Sequence, residues 1–182
     1  MKTIEAGLAA FLVLFAVGAR AATKAQRTVE GWPEANKQAA LAMIDKYGQP
    51  DSTIGDRLEW DNRGQYKRIV VDGHAPSNLM VENTVAYAAP RHAGLVNLDA
   101  IVKPDVDKGE LTSCGRSETA NKAALNLSDD VMHGRKSADQ ARQEWTQTSK
   151  LEKSGKTSAI SERLQFQPGI DPLYNYVNTA PY

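Results

Sequence analysis

Cysteine occurs once, at Cys114, so no internal disulfide can staple this chain. Neither sign of charge is in excess: 22 basic residues face 22 acidic ones. A nucleic-acid binder needs a basic surplus to meet phosphates, so that class is excluded as a partner. Histidine is scarce, with three copies at His74, His92 and His133. No two of them stand at a spacing that preforms a metal site. Long apolar runs are missing too, which excludes a polytopic membrane protein. What is present is 182 residues with a 41% hydrophobic share, enough for one packed domain.

The N-terminus carries an export pattern. Lys2 and Glu5 precede an uncharged run from Ala6 to Ala19 that includes Leu8, Phe11, Leu12, Val13, Leu14, Phe15 and Val17. Ala19-Arg20-Ala21 then places small residues at the −3 and −1 positions of a cleavage after Ala21. This reads as a secretory signal peptide over 1–21. The apolar run is short of the roughly 20 residues that a spanning helix needs, so no stable membrane anchor is expected after processing. No cysteine follows the run to take a lipid. Cleavage removes two of 22 basic and one of 22 acidic residues, which leaves a net charge of −1. The expected location is the periplasm or the outside of the cell. There a lone Cys114 is expected to be buried.

Along the mature chain, 22–31 is small and polar and is expected to be flexible. Trp32-Pro33-Glu34 opens a helix, with proline in the first turn and an acid complementing the dipole. Ala39, Ala40, Met43, Ile44 and Tyr47 recur at helical spacing, and Gly48 and Pro50 end the run. The period then shortens. Leu58 and Trp60 alternate with acids, Asn62-Arg63-Gly64 signals a turn, and Ile69, Val70 and Val71 follow, giving a hairpin of Arg57–Asp61 with Tyr66–Asp72. Gly73 to Asn78 is loop, and Val81 to Ala88 is a third strand. Leu95, Leu98 and Ile101 space like a short helical turn. Ala100 to Lys103 and Glu110 to Cys114 flank a loop and form a second hairpin.

Helical spacing returns at Ser117, with Ala120, Ala123, Ala124, Leu127 and Val131 on one face and a stop at Gly134. Ser137 with Gln140 is a capping box that starts another helix, with Ala138, Ala141 and Trp145 inward. The short connection between these helices predicts antiparallel packing. Residues 165–182, rich in Pro and Tyr, read as an extended tail. The fold class is therefore α+β. It is an antiparallel sheet of four to five strands, with an N-terminal helix and two C-terminal helices on one face, and 32–164 forms a single domain.

Catalytic patterns fail one after another. Lys153-Ser154-Gly155-Lys156-Thr157 ends like a phosphate-binding loop, but Lys150 stands where its first glycine belongs and a helix precedes it. Asp105-Val106-Asp107-Lys108-Gly109-Glu110 resembles a calcium loop with glycine and glutamate out of register. Cys114 beside Arg116 invites a thiolate reading, but no histidine is placed to serve it. No Gly-x-Ser-x-Gly elbow occurs. Glu118, Asp129 and Asp130 read as solvating acids on an exposed helix side. Asn126-Leu127-Ser128 fits a glycosylation triplet but lies mid-helix. Tyr174, Tyr176 and Tyr182 in the tail suit docking, on this domain or on a partner.

Trp32-Pro33-Glu34-Ala35-Asn36-Lys37, Tyr47-Gly48-Gln49-Pro50-Asp51, Leu58-Glu59-Trp60 and Tyr66-Lys67-Arg68 together resemble the opening of a family of small exported bacterial proteins. Gly109-Glu110-Leu111 and Asn121 to Asp130, followed by Gly134, resemble its later half. The resemblance spans about Trp32 to Trp145. It implies export and a single domain, and it implies no activity. The helix, Tyr-Gly-x-Pro and strand entry is also similar, at the level of fold alone, to small envelope lipoproteins of outer-membrane assembly. The expected function is a non-catalytic module that binds a protein or small-molecule ligand, with no cofactor, no metal and no assignable catalytic residue. The alternative is a metal-assisted hydrolase with His74 and His92 as loop ligands.

Overall fold

The computed structural model describes residues 23–88, 98 and 100–169. The leader, His92, Leu95 and the tail tyrosines lie outside the described residues. The elements are α1 (Lys24–Val29), α2 (Glu34–Tyr47), β1 (Ser52–Ile54), β2 (Arg57–Arg63), β3 (Tyr66–Asp72), β4 (Val81–Ala86), β5 (Ile101–Asp105), β6 (Glu110–Gly115), α3 (Glu118–Met132), α4 (Ala138–Lys153) and α5 (Ala159–Glu162). The strands form one six-stranded sheet in the order β1-β2-β3-β4-β6-β5, every pair antiparallel. This is an α+β fold with one strand more than the pattern suggests. The extra strand is β1, three residues that pair with β2 in the register Ser52↔Glu59. A segment that short shows no alternation in sequence.

Cross-strand register sorts the side chains onto two faces. Leu58↔Val71, Trp60↔Ile69, Val71↔Val81 and Val85↔Leu111 stack the large apolar residues on one side. All of these join the core cluster together with Ala40, Met43, Ala123, Leu125 and Leu127 from the helices. The opposite face carries Arg57, Glu59, Arg68, Glu82, Thr84, Thr112 and Lys103. Arg68 pairs there with both Glu59 (3.7 Å) and Glu82 (3.4 Å). Period-two alternation of apolar and charged residues thus yields one face for helices and one for solvent.

The helices dock differently from one another. α2 meets β2 and β3, and α3 meets β4, β5 and β6, whereas α4 and α5 pack mainly on α3. Consequently α3 is buried on both sides, with Asn121, Asn126, Ser128 and Asp129 as covered as its leucines. Asn121 donates to the Val81 carbonyl (2.8 Å) and to Asn83 Oδ1 (2.7 Å) and accepts from Ser113 (3.0 Å), pinning the helix to the sheet centre. Asn126 donates to the carbonyls of Ile160 and Arg163 (both 2.8 Å) and accepts from the Gln165 amide (2.8 Å). That engagement closes the Asn126 triplet to glycosylation.

Two local readings need correction. Residues 22–31, expected to be flexible, contain α1, whose Thr23–Gln26 capping box satisfies its first turn and whose Ala25 and Val29 are buried. Ile101, expected in a helical turn, opens β5 and pairs with Cys114. Strand ends shift as well: β2 runs on to Arg63, β4 stops at Ala86, β5 continues through Pro104 to Asp105, and α5 has no counterpart in the sequence pattern. The limits of α2 and the start of α4 agree. Gly48 ends α2 with φ 79, its amide on the Ile44 carbonyl, and the Trp60 indole N–H donates to the Gly48 carbonyl (2.9 Å). The Ser137–Gln140 box starts α4 as read from the sequence.

Candidate functional site

A cleft opens where the end of β6 turns into α3. Its described lining is Asn78 from the β3–β4 loop, Ala100 before β5, Gly115 and Arg116 at the β6–α3 turn, Ala120 of α3, and Trp145, Ser149 and Lys153 of α4. The free volume is about 320 Å³. Spacing along α4 makes one wall: 145, 149 and 153 recur every four residues and so share a face. Ala100, Ala120 and Trp145 are nearly wholly buried and supply an apolar floor. Glycine at 115 is required by packing, because a Cβ there would stand 2.6 Å from Asn121 Oδ1.

Charge in the cleft is unevenly compensated. Glu152 Oε2 accepts from Arg116 Nε (3.1 Å) and Nη2, while its Oε1 accepts from the Ser117 hydroxyl (2.7 Å). Ser117 in turn caps α3 by accepting from the Ala120 amide (3.0 Å). Glu152 is therefore fully engaged, and Arg116 is held with Nη1 left over. Lys153 forms no ion pair or hydrogen bond among the described residues. The side chains of Asn78 and Ser149 form no hydrogen bond among them either.

The residues singled out from the sequence do not gather here. His74 lies in the β3–β4 loop, where its Nε2 meets Asp56 Oδ2 (2.7 Å). Asp56 also accepts from the Trp32 indole (3.2 Å), and the His74 contact followed by the Trp32 bond holds its carboxyl below the usual range. His133 ends α3, with Nδ1 near the Asp129 carbonyl (3.0 Å) and its ring edge-on to Tyr87. His74 and His133 thus flank opposite ends of β4, about 20 Å of extended chain apart. Among the described residues no three His, Cys, Asp or Glu side chains stand where they would hold a metal ion.

Cys114 is half-buried on the charged sheet face, its thiol donating to the Leu79 carbonyl (3.0 Å). Burial first, and Glu82 second, push this thiol up, the reverse of an activated nucleophile. The Asp105 loop satisfies itself, since its carboxylate accepts from the Lys108 amide (3.1 Å) and ammonium (2.8 Å). The Ser154-Gly155-Lys156 turn spends its amides closing α4, Gly155 on Glu152 (3.0 Å) and Lys156 on Leu151 (2.9 Å). Nothing is left to cradle a phosphate.

Two acids expected to be solvated are instead interior. Glu118 accepts from Lys46 (2.7 Å), Lys122 (3.0 Å), Tyr47 (3.0 Å) and Tyr66 (3.2 Å). Burial pushes its carboxyl up, but the bonds from Lys46 and Lys122 outweigh this and hold it below the usual value. Asp129 accepts from the Tyr87 hydroxyl (2.6 Å), from His133 (3.1 Å) and from Arg135. Both are internal ties between α3 and the sheet or α2, and neither opens onto the cleft lining. Their burial follows from α3 being covered on two sides, which one apolar stripe does not announce.

Fold and cleft together define an α+β domain with a helix-walled pocket at one end of its sheet. The chain matches no protein-family model, no curated protein and no solved structure.

Proposed function

We propose that the chain is an exported, non-catalytic binding module that takes a small ligand in the cleft between β6, α3 and α4. Export rests on the charged start, the apolar run and the Ala19-Arg20-Ala21 site, the features of a secretory leader. Kinship with small exported bacterial proteins belongs to the same reading. The observation that carries binding is an apolar floor ringed by polar groups that the described protein leaves unpartnered: Asn78, Arg116 Nη1, Ser149 and Lys153. A pocket of this volume with a few convergent polar groups is the usual form of a ligand site. Its described lining offers no imidazole, thiol or free carboxylate to move a proton, so holding rather than converting is its chemistry.

The test is fragment screening by amide-proton NMR on the processed protein, with a hydrolase substrate panel run beside it. Hits that shift Gly115 to Ala120 and the Trp145 indole, with no turnover, are the expected result. Turnover, or a screen whose hits all map elsewhere, overturns the reading. Mass spectrometry of the exported protein is expected to find Ala22 as the first residue.

A further inference from the structure

We infer that the cleft selects a small carboxylate with a flat apolar body, a monoanion rather than a neutral or cationic molecule. This rests on the cleft being a ligand site and names what it takes. Consider the charges that face it. Arg116 is neutralised by Glu152, whose two oxygens already accept from Arg116 and Ser117. Lys153 adds one further positive charge with no counter-ion among the described residues, and the described lining of the cleft includes no acid. Position at the end of α4 accounts for a lysine there, as it does for Lys150, since both complement the helix dipole. It does not account for an uncompensated ammonium on the polar rim of a cleft with an apolar floor.

The hydrogen-bond inventory points the same way. Lys153 and Arg116 Nη1 are donors only, while the Asn78 amide and Ser149 hydroxyl can each donate. The complement of such a rim is an acceptor-rich group. One uncompensated positive charge balances a carboxylate, whereas a phosphate monoester would bring nearly twice that charge. Below the rim, the two alanines Ala100 and Ala120 and the Trp145 ring present apolar surface, so that part of the ligand is apolar. The volume of about 320 Å³ admits a ligand of the size of an arylacetate.

Phenylacetate, phenylacetamide and phenyl phosphate are the probes, titrated into the processed full chain and followed by amide NMR. Phenylacetate is expected to shift Gly115 to Ala120 and the Trp145 indole, binding at least about tenfold tighter than the neutral amide and tighter than the phosphate. Lys153→Gln, an exposed change that leaves the fold intact by circular dichroism, is expected to remove most of that preference, and Lys153→Arg to restore it. Equal binding of phenylacetate and phenylacetamide in the cleft overturns the anion selection while leaving the ligand site standing. Preference for the phosphate overturns the monoanion. No phenylacetate shift in the cleft, or a Lys153→Gln protein that binds phenylacetate unchanged, also overturns it.

Discussion

Glu118 shows how one side chain can set the acid limit of this fold. It is nearly wholly buried, yet it stays ionised because two ammonium groups and two phenols converge on it. Its carboxyl sits below the ordinary 4.5 once folded. The stability it contributes is therefore complete above that ordinary value and is lost as pH falls through the folded one, because the unfolded chain binds the extra proton first. Glu118→Gln keeps the shape but removes the charge, leaving Lys122 and Lys46 without their partner. A cost of about 1–3 kcal/mol is expected in urea unfolding at pH 7, near the low end because Lys46 is half-exposed and screened. The same variant is expected to flatten the acid slope of stability as pH falls below the ordinary 4.5. The neighbouring phenol gives an independent readout. Burial first, and the Glu118 charge second, push Tyr47 up to about 12 from the ordinary 10.0. Ultraviolet titration is expected to find a tyrosine that ionises near there. Stability declines as pH rises above 10.0, since only the unfolded phenol loses its proton in that window.

The elements depend on a few interlocks that were partly legible beforehand. Trp32 lies flat against Gly73: a Cβ at that glycine would stand 2.4 Å from the indole. Asn36 of α2 donates to the carbonyls of Asp72 at the end of β3 (2.8 Å) and of Ala75 in the loop that follows (3.0 Å). Gly73→Ala is expected to force the indole aside and cost about 1–3 kcal/mol by urea unfolding, an overpacking effect that Trp32→Leu in the same chain should relieve. Sequence pattern revealed α2, α3, α4 and the two hairpins because each carries a period with a start or stop signal beside it, Gly134 after α3 and Ser137 with Gln140 before α4. It missed β1 and α5, which are too short to display a period, and it missed α1, whose burial comes from α2. The cleft was hidden for a related reason. Trp145, Ser149 and Lys153 share a helix face, but Asn78, Ala100 and Arg116 reach it only through the sheet order β4-β6-β5. Nothing local in the chain announces that β6 inserts between β4 and β5.

For the whole molecule the question is what holds it together without a disulfide. The apolar cluster is continuous from Ala25 in α1 through the inner sheet face and α3 to Leu164. A chain of this size can bury roughly 70% of its unfolded surface, which suffices for one stable core. A structural metal behaves differently: its binding energy, on the order of 10 kcal/mol or more, becomes folding energy, and a chelator then unfolds the protein. Among the described residues no three candidate ligands converge, and His74 is committed to Asp56. The urea midpoint is therefore expected to be the same in EDTA as in added zinc. A midpoint that drops in EDTA would require ligands this core does not use, and His74 with His92 would be the pair to mutate. That outcome would return the metal-assisted hydrolase to contention and remove the ground for a purely apolar scaffold. An unmoved midpoint leaves the cleft and its lysine, among the described residues, as a feature that folding alone does not explain.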